Sequence, residues 1–285
     1  MVDGDFSTMS KADEQTVDGD MTTPVGAGTD EDTILSVETV SKHYGGVVAL
    51  EDVSLSIKEN EVLSIVGDNG AGKSTFIKLL SGVIPATSGT FKMRNEETGE
   101  LEHIVLDSPS MAKRAGIETV FQDMSLSMQH DVASNVFMGR EPTKGGLRGK
   151  LLRRIDREYM EERSIEALDE IGFEIDPNAV TEELSGGQQQ AVAVARALIS
   201  DPRVVILDEP TAEVSVEGSQ KILDLIEELQ ASGKTVIFIT HNLQEVFDVA
   251  DRIAVLRSGS LVAELENDGT IDREDLVGRM TGAIQ

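Results

Sequence analysis

The chain has 285 residues, no cysteine, and 52 Asp plus Glu against 25 Lys plus Arg, for a net charge of −27 at pH 7. Disulfides and thiolate metal sites are thereby excluded, an intracellular setting is compatible, and a field of this sign repels nucleic acid and anionic lipid headgroups. The longest apolar runs fall short of the roughly 18 residues that a membrane span needs, and no basic stretch leading into an apolar one marks a secretory signal.

Residues 1–33 stand apart. Nine acidic residues and one lysine fall within residues 1–32, a net of −8, among Gly, Thr and Ser with no apolar period. This reads as a disordered acidic extension. The other −19 belongs to residues 33–285. A chain with 39% hydrophobic residues and clear periodic segments is not disordered as a whole. Two readings of the charge stay open: a surface adapted to concentrated salt, where screening weakens self-repulsion, or an ordinary acidic protein with an acidic tail.

From residue 34 onward short apolar runs alternate with helical patterns. EVLSIV (61–66) reads as a strand and is followed by GDNGAGKST (67–75) and the helical FIKLLSG. The pattern G-x-x-x-x-G-K-[ST] is met by Gly67, Gly72, Lys73 and Ser74. Backbone N–H groups of such a loop, here spanning Asp68, Asn69, Gly70, Ala71 and Thr75 as well, curl around phosphate oxygens. Lys73 reaches the β- and γ-phosphates, the Ser74 hydroxyl ligates Mg²⁺, and the helix end adds its positive pole.

Residues 123–183 show helical patterning, such as Ile165, Leu168 and Ile171, and no clear strand, so they read as a helical insertion. LSGGQQQ (184–190) then opens an apolar helix that Ser185 can cap. Gly186 and Gly187 weaken that helix end, so their presence points to a close approach by another group.

VVILDE (204–209), VIFIT (236–240) and RIAVLR (252–257) read as strands, the first two apolar enough for burial on both faces of a parallel sheet. Helices lie between them, one with Ile222, Leu225, Ile226 and Leu229 inward, one with Leu243, Val246, Phe247 and Val249. The alternation predicts an α/β core with right-handed crossovers. Asp208 ends a strand and suits Mg²⁺ binding through water, while Glu209 suits a general base that polarises the attacking water. VIFIT delivers His241 to the same sheet edge, within reach of a γ-phosphate. His43, His103 and His130 have no metal spacing, and Met111, Met124, Met128 and Met138 suit packing or a partner interface.

LSGGQ together with the loop 67–75, the strand VVILDEP and the following His241 resembles the ATP-binding cassette family over residues 34–285. The resemblance implies an α/β phosphate-loop NTPase fold with a mainly parallel sheet core (34–122 and 184–285), an N-terminal antiparallel β part and a helical subdomain (123–183). It implies ATP and Mg²⁺ as cofactors. In that family two cassettes stack head to tail, and the helix end formed here by Ser185, Gly186, Gly187 and Gln188 faces the γ-phosphate held by the partner's loop. The same resemblance makes Tyr44 the aromatic that stacks on adenine, Gln122 the residue that contacts Mg²⁺ and links the site to the helical insertion, and His241 the switch histidine. The usual Ser-Ala-Leu-Asp turn is not kept, since residues 212–215 read Ala-Glu-Val-Ser.

GDNGAGKS, ETVFQD, ASNVFMGRE, LSGGQQQAVAVARAL and THNLQEVFDVADRIAVLRSG are similar to the ATPases of monosaccharide importers of the ribose, xylose and fructose type, including Ala191 where most cassettes have Arg. With one loop of each kind the chain resembles the single-cassette branch. The resemblance implies an ATP-hydrolysing subunit that works as a pair of cassettes, bound to membrane permease subunits on the cytoplasmic face and served by an extracytoplasmic solute-binding protein, with no nucleic-acid partner. A cassette of another transport system, an exporter, or one acting on DNA or ribosomes is the alternative. Against the last stand the lack of a basic patch and of a long coiled-coil insertion.

Overall fold

The computed structural model describes residues 32–144, 154–212 and 214–284. Strands β1 (Thr33–Tyr44), β2 (Val47–Lys58), β4 (Ser88–Arg94) and β5 (Leu101–Ile104) form an antiparallel sheet in the order β2-β1-β4-β5. A second sheet joins β3 (Val62–Val66), β6 (Ile117–Val120), β7 (Val204–Asp208), β8 (Thr235–Ile239), β9 (Arg252–Arg257) and β10 (Ser260–Glu266) in the order β10-β9-β3-β8-β7-β6. All its pairs are parallel except β10 with β9.

Every residue of β3 and β8 is buried, and so are the first four of β7. Side chains alternate between the two faces of a strand, so a continuous apolar run is satisfied only where both faces are covered. One face is covered by helix α1 (Lys73–Leu80) and the antiparallel sheet, which share a core containing Phe76, Leu80, Leu35, Ile57 and Ile237. The other is covered by helix α5 (Gly186–Leu198) and helix α6 (Val216–Ala231), whose core includes Val192, Val194, Leu225, Leu229 and Phe238.

Between α1 and α5 run helices α2 (Pro109–Arg114), α3 (Val132–Val136) and α4 (Arg157–Asp169). The face of α4 that enters the core carries Met160, Ser164, Ala167 and Leu168. Ile165, expected to share that face, points outward with 42% exposure, and Ile171 lies past the helix end in the core. Residues 160, 164, 167 and 168 keep a spacing of three and four, and 165 falls off that stripe. Helix α5 is packed all round: Ala191 through Ala195 are at most 1% exposed. Alanine and valine alternate there because three neighbouring helices approach closely. Helices α7 (Leu243–Val249) and α8 (Arg273–Thr281) close the far edge with Val66, Val246, Val255 and Leu276.

The acidic extension expected over residues 1–33 falls outside the described residues up to residue 31. Thr33 already belongs to β1, is 3% exposed, and its carbonyl accepts from Arg94 Nε at 2.8 Å. The backbone of residue 33 is a rung of the sheet, pairing with Lys58, so its lack of apolar character does not keep it out.

Candidate active site

Three neighbouring strands, β3, β8 and β7, run parallel, so the chain leaves all three at one edge of the sheet. In an open α/β sheet this edge is where ligands bind. β3 leads into the loop 67–75 and α1, β7 ends in Asp208 followed by Glu209, and β8 leads into Thr240 and His241.

The loop needs its glycines. A Cβ on Gly67 would lie 2.2 Å from the Leu256 carbonyl oxygen of β9, and one on Gly72, at φ 109°, would lie 2.7 Å from Leu50 Cδ2 and 2.9 Å from Ala49 O. The Ala71 carbonyl accepts from Gly259 N at 3.0 Å, so the β9–β10 turn supports the loop from behind. Helix α1 has Gly72 at its N-cap and no side-chain cap. The first N–H groups of a helix have no intrahelical partner, so those of Lys73, Ser74 and Thr75 face the cleft as donors together with the positive helix end.

Lys73 is 7% exposed, and its Nζ donates to Gly67 O at 2.6 Å and Asp68 O at 3.2 Å. An ammonium has three donors, so one is left for a ligand. Burial lowers the Lys73 pKa below its ordinary value, against the opposing charges of Glu209, Asp68 and Asp208. Burial, with the adjacent Glu209 charge, raises the Asp208 carboxyl above its ordinary value, against the pull of Lys78 and Lys73.

Glu209 has φ 51°, a left-handed conformation that costs a non-glycine residue about 1–3 kcal/mol and persists only where the surroundings enforce it. Its N–H donates to Ile239 O at 2.9 Å, and its Oε1 lies 2.6 Å from His241 Nε2. One cleft of about 320 Å³ is lined by Val47, Val48, Ala49, residues 69–75, Glu209 and His241. Gly67 and Asp68 sit behind its wall, bonded to Lys73.

The structure does not place every expected residue there. Tyr44 does not line this cleft: it pairs across the hairpin with Val47, is 47% exposed, and carries Lys42 Nζ 5.2 Å from its ring centroid. The next two residues past the Gly45–Gly46 turn, Val47 and Val48, supply the apolar wall instead. Gln122 follows β6, at the far end of the order β3-β8-β7-β6. Two strands separate it from the loop, and it lines a second cleft with Met124, Gly186, Gln189 and Val214. Glu209 is the residue common to both clefts.

The helix end at 185–188 is closed by a capping box. Ser185 Oγ accepts from Gln188 N, and Ser185 N donates to Gln188 Oε1 at 3.0 Å. Within the chain neither glycine is forced: a Cβ on Gly186 would meet Val214 at 3.8 Å, and one on Gly187 would meet Gly218 at 3.7 Å, both ordinary contacts. Ser185 and Gly186 are exposed. In the altered turn, Ser215 caps α6 by accepting from Gly218 N, and Glu213 lies outside the described residues.

A divalent cation has a matching but incomplete donor set. Ser74 offers a hydroxyl and Asp208 a carboxylate, both hard oxygen donors, and among the described residues no three acidic, histidine or cysteine side chains gather to hold a metal by themselves. That fits an ion such as Mg²⁺, which takes one or two protein oxygens and fills the rest with phosphate and water.

The family model described as "ABC transporter" matches residues 50–212. The fructose import ATP-binding protein FrcA of Rhizobium meliloti is 40% identical over 255 residues, covering 89% of this chain and 95% of that protein. The ribose import ATP-binding protein RbsA 3 of Rubrobacter xylanophilus is 37% identical over 249 residues, but this chain spans only 48% of its length. Among solved structures, a nucleotide-free ATP-binding cassette from an ABC transporter superposes with TM-score 0.71 at 28% identity, covering 87% of this chain and 95% of that one. A dimeric cassette in a post-hydrolysis state bound to ADP and Pi superposes with TM-score 0.65 at 29% identity, covering 83% and 100%. Loop, strand ends, fold and sequence agree, and the chain belongs to the ABC transporter family.

Proposed function

We propose that this chain is the ATP-hydrolysing subunit of a monosaccharide importer of the single-cassette kind, working as a pair on the cytoplasmic face of membrane permease subunits. The observation that carries the chemistry is the cleft in which the donors of α1 and Lys73 face Glu209 and His241. The triphosphate lies on the N–H groups of residues 69–75, with Val47 and Val48 against the base. Ser74 and Asp208 would hold Mg²⁺, which would supply charge neutralisation to the phosphates. Lys73 contributes its remaining N–H to the γ-phosphate, where negative charge develops. Glu209 accepts the proton of the attacking water. His241 Nε2 lies 2.6 Å from Glu209 Oε1 and holds that carboxylate at the cleft.

Pairing of two cassettes gives Gly186 and Gly187 a use that the chain alone does not. With no Cβ, the exposed end of α5 can approach a phosphate held by the partner's loop. ATP then bridges the two chains and hydrolysis removes the bridge, which couples the chemical step to permease movement. Gln122, Met124 and Met128, in the cleft that shares Glu209, suit the link to a permease through the helical subdomain (123–183). The printed functions of FrcA and RbsA 3, fructose and ribose import, support a monosaccharide as cargo, delivered by an extracytoplasmic binding protein. The −27 charge supports a surface adapted to concentrated salt.

The test is Lys73→Ala in the full chain. Phosphate release at saturating Mg-ATP is expected to fall at least about 100-fold, and uptake of labelled fructose and ribose is expected to be lost in cells that carry only the variant. Release within a few-fold of wild type would remove the site assignment. Loss of release with undiminished uptake of both sugars would remove the cargo.

A further inference from the structure

Glu245 lies on α7, outside the cleft wall, and is 7% exposed. Its Oε2 accepts from Thr211 Oγ1 at 2.8 Å and from Thr240 Oγ1 at 2.7 Å, and its Oε1 accepts from Asn242 Nδ2 at 3.1 Å. All three donors are neutral. They belong to two separate segments: Thr211 lies two residues after Glu209, and Thr240 and Asn242 flank His241. Asn242 N also donates to Thr240 Oγ1 at 3.1 Å, which closes the second segment into a turn around the carboxylate.

The ladder between β7 and β8 ends with Asp208 beside Ile239 and the Glu209 N–H on Ile239 O. Past that rung, among the described residues, the two segments are joined by the Glu209–His241 contact and by Glu245. The left-handed φ of Glu209 falls at this junction. Such a conformation relaxes unless neighbours over-determine it. The anchor at Thr211 restrains the chain on the C-terminal side of Glu209, and Asp208 in β7 restrains it on the other.

We propose that Glu245 is the positioning residue of the Glu209–His241 pair. It clamps the chain leaving β7 to the chain leaving β8, so that the Glu209 carboxylate and the His241 imidazole meet at the edge of the cleft. The inference rests on the reading of Glu209 as the base of ATP hydrolysis. The chemistry explains the residue type. Three donors converge, and an ionised carboxylate is the side chain with acceptor capacity on two oxygens and no donor to conflict with them. Glutamine keeps the volume, and its amide can donate to a hydroxyl that turns to accept, so it retains part of the clamp. Alanine retains none.

The experiment compares the full chain with Glu245→Ala, Glu245→Gln, Thr211→Val and Lys73→Ala. Phosphate release is measured against Mg-ATP concentration, and turnover is counted per nucleotide-binding site titrated with a fluorescent ATP analogue. Misplacement of a reacting group by about 1 Å costs about 100-fold in rate. Glu245→Ala is therefore expected to lower turnover per site by about 10- to 100-fold, with KM and analogue affinity within about threefold. Glu245→Gln is expected to recover to within about fivefold of wild type, and Thr211→Val, which removes one donor and keeps the carboxylate, to lose about three- to tenfold. A purely structural role would reduce the number of binding sites and leave turnover per site at wild type, which would overturn the proposal. A parallel loss of affinity and turnover would overturn it too. Should Glu245→Ala fail to fold, Thr211→Val and Glu245→Gln carry the same test. Lys73→Ala separates the two levels: if it is inactive while Glu245→Ala and Thr211→Val turn over normally, only the role of Glu245 falls. If Lys73→Ala is itself active, the site reading falls and the proposal with it.

Discussion

Gly67→Ala tests whether backbone crowding behind the phosphate loop sets the geometry of the site. The added Cβ would lie 2.2 Å from Leu256 O and 2.9 Å from Ala71 Cβ. An ordinary contact begins near 3.4 Å, so about 1.2 Å of movement is required. Leu256 cannot supply it, because β9 is held by β3 on one side and β10 on the other. The loop must yield, and with it the Gly67 carbonyl that accepts from Lys73 Nζ at 2.6 Å. Backbone strain of about 1–3 kcal/mol and overpacking of about 1–3 kcal/mol give a loss of about 2–6 kcal/mol. At about 2–3 °C per kcal/mol for a chain of this size, the melting temperature should fall by roughly 4–18 °C. Displacing Lys73 and the N–H cradle by about 1 Å should lower hydrolysis about 100-fold.

Gly70→Ala is the control for stability alone. It lies in the same loop at φ 82°, but its Cβ would meet no protein atom within 4 Å. It should cost only about 1–2 kcal/mol of left-handed strain. Circular-dichroism melting and steady-state phosphate release measure both effects. A Gly67→Ala protein that melts within about 2 °C of wild type and hydrolyses within about threefold would refute the argument.

Three further outcomes are expected. Glu209→Gln should keep ATP binding, lose hydrolysis, and run as a dimer on gel filtration with ATP, because an amide keeps the size but cannot take the proton; a monomer under these conditions counts against the paired arrangement. Thermal stability of the chain without residues 1–31 should rise with KCl from low millimolar to molar, because the Debye length falls from about 30 Å at 0.01 M to about 3 Å at 1 M; a flat or falling curve refutes salt adaptation. Arg252 (side chain 6% exposed) donates to buried Glu61 at 3.0 Å and to Glu264 at 2.8 Å, so Arg252→Met strands two carboxylates and should cost about 3–5 kcal/mol. Burial already raises the Glu61 pKa from 4.5, despite its bond from Lys58 N–H and the Arg252 charge. A raised folded pKa gives stability that is full below the unfolded value and lost as pH rises through the folded one. The variant's melting deficit should therefore shrink as the pH is lowered from about 8 to about 5, and a deficit equal at both ends would contradict it.

Much of the candidate site was legible because its chemistry is local. A phosphate cradle needs consecutive N–H groups, glycines and one lysine within nine residues, and those are adjacent in the chain. The near-continuous apolar runs of β7 and β8 announced strands covered on both faces, and parallel strands bring their following residues to one edge. Lys73, Glu209 and His241 reach one cleft for that reason. The Ser185 cap was equally local, and the structure adds the reciprocal bond to Gln188.

What the tertiary structure alone decided depends on which elements become neighbours. Tyr44 and Val47 pair across the turn at Gly45 and Gly46, and of the two only Val47 is among the residues lining the cleft. Gln122 lines a cleft with Glu209, and Ser74 lines the other, because β6 takes the edge position beyond β7 and β8. Ile165 turns outward because Met160, Ser164, Ala167 and Leu168 form the stripe that packs against α5, and which stripe of α4 is covered is decided by its neighbours. Glu245 reads as one more acid on a helix until Thr211, 34 residues away, is brought to it. Local pattern thus determined the strands, the loop and the caps, since their hydrogen bonds close over a few residues. Strand order and packing determined the walls of the clefts and the buried carboxylate clamp, since these contacts form only after distant segments have been brought together.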